Sequence, residues 1–245
     1  MSVGGTGGPL AGRWAVVTGA SRGIGAELAR RLVADGARVA LVARSRDALG
    51  SLARELGQDE AIPVPCDLGD PADVQRASRT VRDLAAGAPD IVVNNAGAFS
   101  IAPAHEASVE DFRRTLETNV TAPFALVRAF LPEMLARGSG HLVTLGSIAD
   151  RAVFPGNAAY AASKHGVRAL HEVLRAELHG SGVRASLVSP GPVDTELWDP
   201  IDPDHQPGFT PRARMLTPAD VADAIRWVLL APDTVNVDEL RLSRS

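Results

Sequence analysis

The chain has 245 residues, 45% apolar and 22% charged, which is enough for one sizeable core and short for two. Its formal net charge of -4, with no run of lysine or arginine interleaved with aromatics, argues against nucleic acid as a partner. No stretch approaches the roughly 18 apolar residues of a spanning helix, the start M-S-V-G-G-T-G-G-P-L has no signal pattern, and the single Cys66 excludes an intrachain disulfide; a cytoplasmic protein without membrane contact is expected.

Residues 1–11 are glycine-rich and expected to form a disordered tail, leaving 12–245 as one domain. Ala15 to Val17 reads as a short buried strand, Thr18 to Gly25 as a glycine turn, and Leu28, Leu32 and Val33 as the apolar face of a helix ending at Gly36. Strands over 39–42, 61–65 and 91–93 then alternate with helices over 47–56 and 71–86. This rhythm predicts an α/β fold, a Rossmann-like doubly wound parallel sheet of about seven strands with helices on both faces.

A long helix is expected over 110–137, with an apolar row through Phe112, Leu116, Val120, Phe124, Val127, Leu131 and Met134. A strand over 142–145, a helix over 158–179 capped by Asn157 and a strand over 184–188 follow. The proline-rich segment from Asp194 to about residue 216 has no clean period and is expected to be a mobile lid. Thr217 and Pro218 start a last helix, and 235–242 supplies a closing strand.

The chemistry concentrates between Ser147 and Lys164. Tyr160 and Lys164 stand four residues apart on one helix, so their side chains share a face. An ammonium beside a phenol favours the phenolate, and free tyrosine titrates near pH ~10, so such a neighbour makes the proton transferable near neutrality. Ser147, ending a strand-like run, could bring a hydroxyl to the same place.

The glycine turn offers the unpaired N–H groups of a helix N-terminus to a pyrophosphate. Its spacing is G-x-x-x-G-x-G rather than G-x-G-x-x-G. Where a cofactor with a free ribose 2′-hydroxyl would call for an acid, the second strand runs into Arg44, and Arg44 with Arg22 predicts the 2′-phosphorylated cofactor, NADP(H) over NAD(H). The six histidines show no ligand spacing, so no metal is expected. His165 and His171 fall off the Tyr160 face and read as surface or interface groups, and Ser147 lies in no G-x-S-x-G elbow.

Together these motifs resemble the short-chain dehydrogenases/reductases over essentially Trp14 to Leu242. The pattern T-G-x-x-x-G-x-G is met by Thr18 to Gly25, N-N-A-G by Asn94 to Gly97, Y-x-x-x-K by Tyr160 and Lys164, and the P-G turn by Pro190-Gly191. The resemblance implies a catalytic set of Asn119, Ser147, Tyr160 and Lys164. Tyr160 would exchange the proton, Ser147 would bind the carbonyl oxygen, and Lys164 would hold the nicotinamide ribose and lower the tyrosine pKa.

The resemblance also implies cofactor contacts at Gly19, Ser21, Arg22, Gly23, Ile24 and Gly25, with Arg44, Asp67 and Leu68 around the adenosine. Asn94, Ala96 and Gly97 would line its ribose, and Pro190, Gly191, Val193 and Thr195 would seat the nicotinamide. Pro123 cannot donate to the carbonyl of Asn119, so a helix kink there could free that carbonyl for a water chain refilling Tyr160.

Ser147, Ala149, Phe154, Tyr160 and Trp198, with Phe99, Val153, Leu197 and Phe209 nearby, would form a pocket for a small hydrophobic carbonyl or alcohol. The implied activity is a carbonyl reductase. A 3-oxoacyl-carrier reductase, a 3-hydroxy acid dehydrogenase and a non-catalytic NADP(H)-binding sensor are the alternatives. Apolar and small residues around several helix faces, including Ala161, Ala162, Ala169 and Leu170, suggest a homodimer or homotetramer. The stretch Val237 to Leu242 lacks the glycine pair often found there in the family, which weakens the analogy with glycine-ended members for both tetramer contacts and substrate.

Overall fold

In the computed structural model, residues 7–245 are described. Seven parallel strands form one sheet in the order β3-β2-β1-β4-β5-β6-β7. They are β1 (Trp14–Thr18), β2 (Arg38–Ala43), β3 (Ala61–Pro65), β4 (Ile91–Asn94), β5 (Gly140–Leu145), β6 (Val183–Pro190) and β7 (Glu239–Leu242). The first four helices are α1 (Gly23–Ala34), α2 (Arg46–Leu56), α3 (Pro71–Ala85) and α4 (Val109–Leu116). A π-turn (Glu117–Thr121) leads into α5 (Ala122–Arg137), and α6 (Ala158–Glu177) and α7 (Pro218–Leu229) complete the set.

The central strands are apolar at consecutive positions because both sheet faces are covered. Val17, Val39 and Leu41 pack with Leu28, Leu32 and Ile225 on one side. Val16, Ala40 and Val42 pack with Val74, Phe130 and Met134 on the other. Cys66, just past β3, is buried in the second layer, and its N–H donates to the Ala43 carbonyl. The strand order reverses between β1 and β4, so the ends of these strands open the crevice in which such sheets bind ligands.

Several expectations are corrected. The expected tail is shorter at its inner end: Leu10 is buried in the core and its N–H donates to the Asp35 carbonyl, while residues 1–6 lie outside the described residues. The long helix is interrupted, because Pro123 removes an N–H and the chain inserts a π-turn in which Ala122 N–H bonds to Glu117. Phe124 is 49% exposed, off the expected apolar row, while Val127 and Met134 of that row are buried.

Asn157 precedes α6 without a capping side-chain bond, and its Oδ1 is buried with no partner. The closing strand begins only at Glu239 because the Asn236 side chain has taken both the N–H and the carbonyl of Ala185. His171 is buried rather than at the surface, and burial holds its pKa below the ordinary histidine value. The segment 194–216, expected to be a lid, contains two 3-10 turns, Glu196–Trp198 and Arg212–Arg214, and Arg212 pairs with both Asp194 and Asp199. No helix among the described residues is long and apolar enough to cross a membrane.

Candidate active site

The glycine turn is shaped by its neighbours. Gly19 has φ +68°, and a Cβ there would stand 2.9 Å from the Ala96 backbone; a Cβ on Gly25 would stand 2.3 Å from the Gly19 carbonyl oxygen. Only glycine permits this approach. Thr18 and Asn95, which sequence reasoning passed over, lock the turn to β4. Thr18 Oγ1 accepts from the N–H groups of Asn95 and Ala96, and Asn95 Nδ2 donates to the Thr18 carbonyl at 2.7 Å. The signal was present in N-N-A-G, whose second asparagine makes these bonds.

Around this turn stand the groups expected to meet a dinucleotide. Ser21 and Ile24 are half-buried beside Arg22, which precedes α1. Arg22 and Arg44 are exposed, and among the described residues neither has an ion-pair partner. Asp67 accepts from Gly69 N–H and Arg114, with 40% of its side chain still exposed, and Leu68 is buried next to it. Asn94 is 3% exposed, with both amide atoms buried and unpartnered. From the other side, the Thr195 methyl lies 3.4 Å from where a Cβ of Gly23 would stand. Pro190 ends β6, Gly191 N–H donates to the Leu242 carbonyl, and the Val193 carbonyl accepts from Trp198 Nε1. An orphaned amide, a cradle closed to any Cβ and two uncommitted guanidiniums fit a nicotinamide dinucleotide.

The chemical groups meet at the ends of β5 and α6. Lys164 is 4% exposed, its Nζ 2.7 Å from the Leu145 carbonyl and 5.6 Å from the centre of the Tyr160 ring. Burial lowers its pKa to about 8, against a raising pull from Asp150. Tyr160 does not have the depressed pKa expected from Lys164. Burial dominates and raises it above the ordinary phenol value, with the Ser147 hydroxyl pulling it down and Asp150 adding to the rise. Ser147 opens a 3-10 turn (Ile148–Asp150) in which its Oγ accepts from Ala149 N–H and Asp150 accepts from Ser147 N–H.

Asn119 is buried within the π-turn. Its Oδ1 accepts from Ala98 N–H at 2.7 Å, and its Nδ2 donates to the Ala98 carbonyl and to Ser163 Oγ, each at 2.9 Å. Ser163 in turn donates to the Tyr160 carbonyl at 2.7 Å. The side chain therefore ties the loop after β4, where Gly97 lies, to the backbone under Tyr160, and Ser163 is a second residue that sequence reasoning missed.

Aromatic rings cover the phenol. Phe99 meets Tyr160 edge-on at 4.8 Å, Trp198 meets Phe99 at 5.2 Å, and Phe209 meets Trp198 at 6.1 Å. Three expected pocket residues are elsewhere. Ala149 is 1% exposed and serves the Ser147 turn. Phe154 lines a separate hollow of about 370 Å³ with Ala158, Ala162 and His165, on the face of α6 opposite Tyr160. Val153 is also in that hollow, and Leu197 is exposed.

Residues 13–206 match the family model described as short chain dehydrogenase. A glycine betaine reductase of Emericella nidulans is 38% identical over 239 residues, which are 95% of this chain but only 19% of that protein, so the chain spans about a fifth of that relative. An uncharacterized oxidoreductase of Staphylococcus haemolyticus is 36% identical, with 94% of this chain and 96% of that protein covered. Among solved structures, a metagenomic short-chain oxidoreductase in complex with NADP superposes with a TM-score of 0.83 at 33% identity, over 97% of this chain and 99% of that one.

Proposed function

Because the chain belongs to the short-chain dehydrogenase/reductase family, we propose that it is a cytoplasmic NADP(H)-dependent carbonyl reductase, acting reversibly on a small hydrophobic carbonyl or secondary alcohol. The observation that carries this reading is the meeting of Tyr160, Ser147 and Lys164 beside the dinucleotide cradle. When bound, the cofactor supplies the hydride. The residues of this chain do the rest.

Tyr160, its phenol held protonated by burial, gives its proton to the carbonyl oxygen as that oxygen gains charge. Ser147 donates a hydrogen bond to the same oxygen; its Oγ accepts from Ala149 N–H, which leaves the hydroxyl proton to be given away. Lys164, with a pKa of about 8, remains largely an ammonium at neutral pH, and it would bind the nicotinamide ribose. Glycines 19, 23 and 25 with Ser21, Arg22 and Ile24 would receive the pyrophosphate. Asp67, Leu68, Asn94, Ala96 and Gly97 would line the adenosine, and Pro190, Gly191, Val193 and Thr195 the nicotinamide.

The preference for NADP(H) is supported by the uncommitted Arg22 and Arg44, and by the NADP bound in the similar metagenomic enzyme. The Phe99, Trp198 and Phe209 rings support an uncharged, apolar substrate. Exposed Phe124, Leu135 and Val173 support assembly into a homodimer or homotetramer. NADPH oxidation across a panel of ketones, aldehydes, 3-oxo esters and diketones tests the reading, with Tyr160→Phe beside the wild type. Turnover that disappears in Tyr160→Phe is expected. Tight NADPH binding in both proteins with no turnover on any compound would favour a cofactor sensor instead.

A further inference from the structure

The carboxylate of Asp150 is 1% exposed and has no place in the roles above. Its Oδ2 accepts the N–H of Ser147 at 3.3 Å and the hydroxyl of Ser189 at 2.5 Å. Ser189 immediately precedes Pro190-Gly191. One oxygen therefore joins the end of β5, which carries the hydroxyl beside Tyr160, to the end of β6, which leads into the nicotinamide turn. The space exists only because residue 146 is glycine: a Cβ there would stand 2.6 Å from Asp150 Oδ2 and 2.3 Å from Ser189 Oγ. The other oxygen, Oδ1, is buried with no hydrogen-bond partner.

Sealing a carboxylate oxygen without a donor is costly, and a surface capping acid pays no such cost. The charged and titratable groups around Asp150 are few. Lys164 and Tyr160 of α6 lie within the reach of its charge, and Arg151 follows it in the chain, 3.9 Å from Oδ1 and held in turn by Glu239 of β7. Glu172 and Arg168 of α6 stand farther out, around the Arg151–Glu239 pair. The strands β5 and β6 face it with Gly146, Ser147 and Ser189, none of them charged.

We propose that Asp150 is a positioning residue, its buried side chain clamping Ser147 to the nicotinamide-side turn behind the Tyr160–Lys164 pair. Its charge favours the proton on both Lys164 and Tyr160, and so suits a site that must deliver a proton to a carbonyl. This consequence rests on the reductase reading, but the test does not.

Tyr160 is the only tyrosine in the chain, so the near-ultraviolet absorbance of phenolate reports its ionisation with no substrate present. The full chain is titrated as wild type and as Asp150→Asn, with circular dichroism followed over the same range. Asp150→Asn keeps the shape and removes the charge. Its phenolate midpoint is expected to fall by about half a pH unit or more, because the Tyr160–Lys164 pair then binds its protons less tightly. The alkaline limb of NADPH-dependent reduction should fall with it.

If Asp150→Asn folds poorly, Asp150→Ser, which returns an uncharged hydroxyl to Ser189, must show the same drop. A folded variant whose midpoint matches the wild type, even with a lowered Tm, overturns the proposal. A wild type that oxidises no NADPH counts against the reductase reading, while the absorbance midpoint still decides Asp150.

Discussion

Arg44 is exposed, without an ion-pair partner among the described residues, at the shoulder of a helix whose positive end does not favour it. If it meets a 2′-phosphate, Arg44→Asp loses a charge-assisted contact and adds repulsion. The ratio of NADPH to NADH affinity, read by fluorescence titration, should then fall by about 10- to 100-fold, as expected for a hydrogen bond to a charged group. An unchanged ratio would remove Arg44 from the cofactor site. Candidates of this kind stand out in the sequence because they lie in local order: three glycines at fixed spacing, a basic residue after a strand, a phenol and an amine one helical turn apart. Asp150 was not legible. Nothing in the local sequence marks it, and only the approach of Ser189 from a strand about forty residues on, over a glycine, encloses it.

The interrupted α4–α5 element shows how a helix can serve a site that it does not enter. Pro123 announces an irregularity, and the chain forms it as a π-turn that contains Asn119. In the π-turn, the Asn119 amide saturates both backbone groups of Ala98 and also touches Ser163, so the loop after β4 and the helix of Tyr160 share one anchor. Asn119→Ala would strand the Ala98 N–H and carbonyl. It is expected to cost about 2–3 kcal/mol in urea unfolding, against about 1 kcal/mol for Ser163→Ala, which removes a single hydroxyl. Equal effects would show that the anchor is packing alone. The apolar row drawn through this element failed at Phe124, beside the π-turn, while Val127 and Met134 farther along it stay buried.

At the scale of the molecule, the parallel sheet and its two apolar layers were legible from strand-helix alternation. The details that long-range contacts decide were not: Asn236 displacing the start of β7, Leu10 entering the core, and His171 turning inward. Acid sensitivity is one such property. His141 on β5 is 2% exposed, its Nε2 2.9 Å from Ser186 Oγ and its Nδ1 without a partner, and burial drives its pKa from 6.5 down to about 3. The folded state therefore refuses a proton that the unfolded chain accepts. This contribution to stability is intact above the unfolded value of 6.5 and is lost as pH falls towards about 3. It should amount to about 3 kcal/mol by about pH 4, with His171 adding in the same direction. In His141→Gln, urea midpoints measured down that range should decline less steeply than in the wild type; parallel declines would assign acid sensitivity to other groups. The same enclosure gives Cys66 a different use. Packed in the layer behind β3, with its thiol pushed up to about 12, the single sulfur is closed to alkylating reagents while the fold is intact. The rate at which a thiol reagent consumes it then times the opening of that edge of the sheet, and a cysteine introduced in the 194–216 segment can be labelled alone against a silent background.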